Sequence, residues 1–334
     1  MGEALRLENL HVHYETAAGP VKAINGVSFV LEEEQVFALV GESGAGKSTI
    51  ALAIMGLLPD SAAGLQGKII FDGVDLLRAS PGYLRSLRGP QMSLILQDAR
   101  AALNPVQPVG AQLEEVFLAH SSLSRREAHR QALDILWEMG LPEPRRIMGN
   151  YPFQLSGGMC QRVLVSIGMA LRPRLLIADE PTSGLDVTLQ AEILQRLKGL
   201  CQEFHSSVLL ITHDLGIVAH MADRLAVMYA GTVVESGPVR TLFREPRHPY
   251  TRGLLQSLPR LDNPSKRLQP IQGSPPDMVN LPEQCPFLPR CPKAISRCRS
   301  DRRPPLEASV EQGRNEMDPD HGVACYNPVL SGGG

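Results

Sequence analysis

Positive charge is in no surplus in this sequence: 33 lysines and arginines stand against 35 aspartates and glutamates, a formal net charge of -2. That balance argues against a protein that grips a nucleic-acid backbone, where a basic excess is the rule. The densest basic run, Arg297–Arg303 with four arginines, reads as a solvated face. Long apolar runs are missing too. The nearest to one, Val163–Ala178, is interrupted by Arg172, Pro173 and Arg174 and falls short of what a bilayer demands. Met1–His13 alternates polar and apolar residues and lacks the apolar stretch of a secretory signal. If the protein works at a membrane, the expectation is that other chains cross it. Its cysteines contain no paired C-x-x-C of a zinc ribbon.

What is present is an ordinary globular composition, 43% hydrophobic and 20% charged over 334 residues, enough for one large α/β domain with an appendage. Short Val/Ile/Leu runs alternate with longer helical patterns, which is the arrangement of a buried parallel sheet. Val36–Val40, Leu175–Ala178 and Val208–Thr212 read as central strands buried on both faces. Leu5–Val12, Val27–Leu31 and Lys68–Phe71 read as half-buried strands of an antiparallel edge sheet. Leu225–Tyr229 and Thr232–Glu235 follow, with a turn at Ala230-Gly231. Residues 98–165 read as a helical insertion, in which Arg125–Met139 keeps helical spacing and stops at Gly140. After about His248 prolines become dense and strand patterns vanish. The expected organisation is a main domain over 1–250, a loop-rich extension over 251–330 and a linker-like Ser-Gly-Gly-Gly at 331–334.

Gly41-Glu-Ser43-Gly44-Ala-Gly46-Lys47-Ser48-Thr49 matches G-x-x-x-x-G-K-[ST] between a strand and a helical pattern. The glycines let the backbone wrap a phosphate chain with its N–H groups inward, and the helix beginning near Lys47 aims its positive end at the same charge. Lys47 is expected to reach the β- and γ-phosphates and Ser48 to ligate Mg²⁺. The buried strand Leu175–Ala178 runs into Asp179-Glu180. Two acids there are costly without a cation or hydrogen-bonding partners. Asp179 is placed to hold Mg²⁺ and Glu180 to polarise an attacking water.

Leu155-Ser156-Gly157-Gly158-Met159 resembles the signature loop of ATP-binding cassette (ABC) proteins, whose serine and glycine amides contact the γ-phosphate held by another subunit. Ser156 is also a good cap for a helix running from Gly157. The resemblance implies a RecA-like P-loop NTPase core with an antiparallel β subdomain and a helical subdomain. It also assigns Gln97 to the Q-loop (Mg²⁺, water and contact with membrane subunits), Ser183-Gly-Leu-Asp186 to the D-loop, and His213 to the switch histidine. Tyr14 is the candidate aromatic for stacking on adenine, with plain packing as the alternative.

The chain is similar, within that family, to ATPase subunits of oligopeptide/dipeptide and nickel importers, the D-type subunit above all. Ile95–Pro105 resembles that branch's Q-loop segment, and Arg247-His-Pro-Tyr-Thr251 with Leu254-Leu255 its post-cassette helix. Ala99 stands where the branch usually has proline, a change that bears on the stiffness of the Q-loop. Gly184 stands where alanine is often found, and Met159 is common within this branch.

Cys285, Cys291, Cys298 and Cys325 supply four soft ligands near the C-terminus. The resemblance implies a structural [4Fe-4S] cluster there, with Zn²⁺ or free or oxidised thiols as alternatives. Cys160 and Cys201 read as incidental buried thiols. It further implies a cassette dimer in which each ATP is sandwiched between one phosphate loop and the other chain's signature loop. A heterodimer with a related chain is expected, a homodimer being the lesser option, with two transmembrane permease subunits and an extracytoplasmic binding protein. The expected position is peripheral, on the cytoplasmic face of the inner (plasma) membrane. The activity so implied is ATP hydrolysis driving peptide import. Nickel or metal-chelate import is the rival, and a soluble non-transport cassette stands further off.

Overall fold

The computed structural model describes residues 2–257, 270–279, 281–310 and 317–329. The linker-like segment 331–334 lies outside these. The chain opens with β1 (Glu3–Tyr14) and β2 (Val21–Glu32), followed by β3 (Val36–Val40), α1 (Lys47–Met55), β4 (Ala62–Phe71), β5 (Val74–Asp75) and α2 (Pro81–Leu87). After β6 (Met92–Ile95) come five helices: α3 (Ala99–Ala102), α4 (Val109–His120), α5 (Arg125–Glu138), α6 (Pro144–Met148) and α7 (Gly157–Met169). Then β7 (Leu175–Asp179), α8 (Val187–Glu203), β8 (Ser207–Thr212), α9 (Leu215–Met221), β9 (Arg224–Tyr229) and β10 (Thr232–Pro238) complete the main sheet's interior. The chain ends in α10 (Val239–Arg244), α11 (Pro249–Gln256), α12 (Ser296–Ser300), β11 (Glu307–Val310) and β12 (Met317–Val323).

The strands form two sheets. β2-β1-β4-β5 is antiparallel, and the larger sheet runs β11-β12-β10-β9-β3-β8-β7-β6. Its centre, β9-β3-β8-β7-β6, is parallel. Successive side chains of a strand point to opposite faces, so a strand covered on both sides must be apolar throughout. β7 and β8 show this: Leu176, Ala178, Val208 and Leu210 enter the core with the helical insertion, while Leu175, Ile177, Leu209 and Ile211 enter the core shared with α1 and the antiparallel sheet. All these residues are fully buried.

Local signals set the helix ends. Ser124 caps α5 in a reciprocal capping box with Glu127, and the helix stops before Gly140, whose φ of 70° is left-handed. Asp98 caps α3 by accepting from Arg100 N at 2.9 Å and Ala101 N at 3.1 Å. Ala99 is therefore the first helical residue, a position whose N–H has no intrahelical partner, and Asp98 is extended, as the residue before a proline must be. Ala99→Pro should accordingly be accepted, raising the melting temperature by about 1–3 °C through a stiffer unfolded chain. A drop in melting temperature, read by calorimetry, would show that the ring does not fit there.

One expectation is corrected. Strands do not vanish after His248: β11 pairs with β12, and β12 pairs with β10 through Glu235↔Val323 and Ser236↔Gly322. Nor does the C-terminal part pack only on itself. Tyr250, Leu281 and Phe287 share a core with Val40, Tyr229 and Val234 of the large sheet. A strand added by backbone hydrogen bonds at the sheet's periphery needs no apolar alternation, so Met317–Val323, with a Pro and a Gly, carries no strand signature. A buried polar knot closes the junction. Glu235, fully buried, accepts from Arg247 N at 2.7 Å and His248 N at 2.9 Å, and contacts His321 Nε2 at 2.7 Å. Burial pushes His248 down to about 4, and as a neutral ring its Nδ1 accepts from Tyr250 N at 3.1 Å. Among the described residues no helix is long and apolar enough to cross a membrane.

Candidate nucleotide site

The loop 41–46 joins β3 to α1 at the C-terminal end of the parallel strands. All three of its glycines are required by geometry, Gly41 because the Met228 carbonyl oxygen stands where a Cβ would sit. Gly44 has φ 80°, and Gly46 has φ 97° with the Ala23 carbonyl oxygen where a Cβ would sit. Lys47, 8% exposed, opens α1 and folds back on the loop, its Nζ donating to Gly41 O at 2.8 Å and Glu42 O at 3.1 Å. Burial pulls its ammonium below the ordinary lysine range, while the charges of Glu180 and Asp179 pull it back. An ammonium desolvated in this way is poised to trade carbonyls for phosphate oxygens.

Asp179 ends β7, is 6% exposed, and its Oδ1 is buried without a hydrogen-bond partner. Burial pushes its carboxyl up, against a hydrogen bond from Ser48; Glu180 adds to the rise and Lys47 opposes it. An orphaned carboxylate oxygen beside a serine hydroxyl is the donor set of a hard divalent cation, so Ser48 and Asp179 suit Mg²⁺. Glu180 sits in the left-handed region at φ 50°, a conformation that costs a non-glycine residue energy. It is held there by its N–H donating to Ile211 O at 2.8 Å. Its Oε1 accepts from His213 N at 3.0 Å and contacts His213 Nδ1 at 2.6 Å, and the Thr212 hydroxyl reaches Oε2 at 3.4 Å. The strained acid and the histidine after β8 form one unit.

These groups line a single cavity of about 620 Å³. It brings together Gly41, Ser43, Gly44, Gly46, Lys47, Ser48, Thr49, Gln97, Asp179, Glu180, His213 and Tyr14. The Tyr14 hydroxyl contacts Thr49 Oγ1 at 3.3 Å, which leaves its ring at the cavity wall. Ser156, Gly157, Gly158 and Asp186 are not among the lining residues. Ser156, exposed, caps α7 by accepting from Met159 N at 3.3 Å, and Asp186 caps α8 by accepting from Leu189 N at 3.0 Å. A side chain at Gly158 would strike Leu189 of the same chain, whereas one at Gly157 would make only an ordinary contact with Leu185. The glycine at 158 is thus explained by packing of α7 on α8. Gly184, at φ 77°, stands in a left-handed turn that an alanine would strain.

Sequence reasoning missed several wall residues. Leu254 and Met278 come from the C-terminal part, and Val21 and Ala23 from the antiparallel sheet. A hydrophobic residue carries no mark of the cavity it will face. Proximity of Leu254 and Met278 to 41–49 exists only after folding.

The family model described as "ABC transporter" matches residues 24–183, and the one described as "Oligopeptide/dipeptide transporter, C-terminal region" matches 234–298. The dipeptide transport ATP-binding protein DppD of Bacillus subtilis is 46% identical over 340 residues, covering 99% of each chain. This chain belongs to the ATP-binding cassette family, in its oligopeptide/dipeptide transport branch. The oligopeptide transport ATP-binding protein OppD of Salmonella typhimurium is 42% identical, covering 97% of this cassette and 94% of that protein. A solved ATP-binding cassette, dimeric in a post-hydrolysis state bound to ADP and Pi, superposes with a TM-score of 0.64 at 27% identity, covering 71% of this chain and 99% of its own. The cassette is accordingly an ABC ATPase, and ATP with Mg²⁺ suits the cavity.

The four C-terminal cysteines gather round one small cavity of about 20 Å³, with His248 and Lys293 beside them. Burial pushes Cys285 up to about 11 and Cys325 to about 12. Among the described residues no three His, Cys, Asp or Glu side chains are arranged to hold a metal ion as they stand. The cavity has room for about one ion. A four-iron cluster requires the cysteine turns to spread, and either metal group requires the thiols to lose their protons.

Proposed function

We propose that this cassette hydrolyses ATP to energise import of oligopeptides or dipeptides through partner membrane subunits. The observation that carries the reading is the separation of two half-sites: Lys47, Asp179, Glu180 and His213 line one cavity, while exposed Ser156 at the head of α7 does not reach it. A chain with an unused anion-binding helix end and an open phosphate cavity makes chemical sense if a second cassette supplies what each half lacks. The peptide assignment rests on the C-terminal match and on what the similar proteins are named for.

The residue roles follow from position. Lys47 and the loop amides bind the β- and γ-phosphates, and Thr49 and Tyr14 border the nucleotide, Tyr14 as the adenine platform. Ser48 and Asp179, with Gln97 at hand, would hold Mg²⁺, which when bound would supply charge neutralisation at the phosphates. Glu180 orients and polarises the water that attacks the γ-phosphorus as its bond to the ADP oxygen breaks. His213 fixes the Glu180 carboxylate through Nδ1–H, leaving Nε2 for the γ-phosphate. Ser156, Gly157, Gly158 and Asp186 act on the partner's nucleotide. The division into a cassette (1–250, helical part 98–165) and an extension (251–330) is retained as a functional one, despite the shared core. For the cysteines we infer a thiolate-bound metal group, a [4Fe-4S] cluster or Zn²⁺.

In this reading the protein lies peripherally on the inner face of the membrane, bound to two permeases and paired with a second, related cassette, with a binding protein outside. Purification from solubilised membranes under anaerobic conditions tests it. The expected preparation contains this chain, a non-identical cassette and two membrane proteins, and iron with sulfide, or zinc, distinguishes the metal groups. A chain recovered only apart from membrane proteins would overturn the transport role, and two copies of this chain in the complex would overturn the heterodimer.

A further inference from the structure

Glu42 is the second residue of the phosphate loop, and the C-terminal part of the chain grips it twice. The Tyr250 hydroxyl accepts from Glu42 N at 3.0 Å, and Arg290 Nη1 donates to Glu42 Oε2 at 2.9 Å. The Glu42 carbonyl in turn accepts from Lys47 Nζ at 3.1 Å and Ala45 N at 3.2 Å. A shift of Glu42 therefore moves a carbonyl that holds the phosphate-seeking ammonium.

Arg290 is not a loose surface arginine. Its side chain is 6% exposed. Nη1 also donates to the Tyr229 hydroxyl at 3.1 Å, Nη2 to Ile271 O at 3.3 Å and Nε to Gln272 O at 2.9 Å. A planar fork satisfied on every side holds one position, and a lysine cannot reproduce it. The residue ends a 3₁₀ turn, Leu288–Arg290, set between two of the cysteines: Cys285 O accepts from Leu288 N at 3.0 Å, and Cys291 follows directly. Phe287, at the head of that turn, packs on Tyr229 and Tyr250 with ring centroids 5.3 and 5.4 Å apart. Arg290 does not line the nucleotide cavity, so whatever it does there passes through Glu42.

We propose that Arg290 is a positioning residue for nucleotide binding, holding the phosphate loop through Glu42 on behalf of the cysteine turn, so that the setting of that turn tunes ATP affinity. The inference rests on the cavity being the ATP site. In the assembled transporter, Arg290→Gln should raise the KM for ATP about tenfold while leaving kcat within about twofold, because ground-state placement of the loop is lost and not the chemistry. Glu42→Gln removes the same ion pair from the other end, so the double variant should be no worse than the more severe single one. Arg290→Lys, which keeps the charge and loses the fork, should recover only part of the affinity. Cys291→Ser, which touches neither Glu42 nor ATP, should raise KM about threefold in the parent and add nothing in Arg290→Gln. If Arg290→Gln does not fold, Glu42→Gln with a direct MgATP titration carries the same test. An unchanged KM in folded Arg290→Gln, or effects of the two ion-pair variants that multiply, overturns the positioning role. An unchanged KM in Cys291→Ser overturns the link to the cysteine turn. A parent complex without ATPase activity would instead overturn the nucleotide-site reading.

Discussion

Replacing Glu180 by glutamine should lower ATP turnover about 10³-fold while the cassette still binds MgATP. The side chain keeps its shape, so its amide oxygen still accepts from His213 N while the amide NH2 takes the place of Oε2 and donates to the Thr212 hydroxyl oxygen, and the strained backbone at φ 50° is undisturbed. What is lost is the negative charge and the ability to take a proton from water. Removing that charge also leaves Lys47 with one less anion to satisfy before phosphate arrives, which favours retained or tighter nucleotide binding. The measurement is phosphate release by the assembled complex at saturating ATP, beside a nucleotide titration of the same preparation. Turnover within about tenfold of the parent would remove Glu180 from the role of base.

Lys47→Ala should act on the other parameter, weakening MgATP binding about 10²-fold or more. In the free protein the ammonium ties Gly41 O to Glu42 O across the loop. Its removal takes away both the internal brace and the charge that meets the phosphates. Some of the effect therefore comes from a looser loop. Comparing the melting temperature with and without saturating nucleotide separates the two: the apo protein should lose little, and the nucleotide-induced rise should nearly disappear. A nucleotide affinity within threefold of the parent would mean that the loop amides alone carry the phosphates.

How much of this was legible depends on how far apart in sequence the cooperating residues lie. Gly41–Thr49 and Asp179-Glu180 announce themselves because strand, turn and helix N-terminus are contiguous, and the chemistry needs fixed spacing within one turn. The central strands were equally plain, since burial on both faces leaves no polar position in Val36–Val40 or Leu175–Ala178. The helix cap at Ser156 is local for the same reason. His213 needed the family resemblance, because a lone histidine gains meaning only from the carboxylate that folding puts 2.6 Å away.

The C-terminal part was misread where its signals were weakest. Backbone pairing of β12 with β10 is indifferent to side-chain pattern, so a Pro- and Gly-bearing segment could enter the large sheet unannounced. The four cysteines were visible as a set. That they share one small cavity, on the turn that presents Arg290, was not.

By itself, then, the sequence determined that this chain has a phosphate loop, an acidic strand end, a signature-like helix start and a cysteine-bearing tail. The phosphate loop and the helix start are runs of neighbours whose bonds are made within a few residues. Tertiary structure alone decided that Glu180 and His213 act as one unit and that Arg290 holds Glu42 across 248 residues of chain. The reason is that a periodic pattern encodes which face is buried, not which distant partner is buried against it. Only the closed core brings such charges within bonding reach.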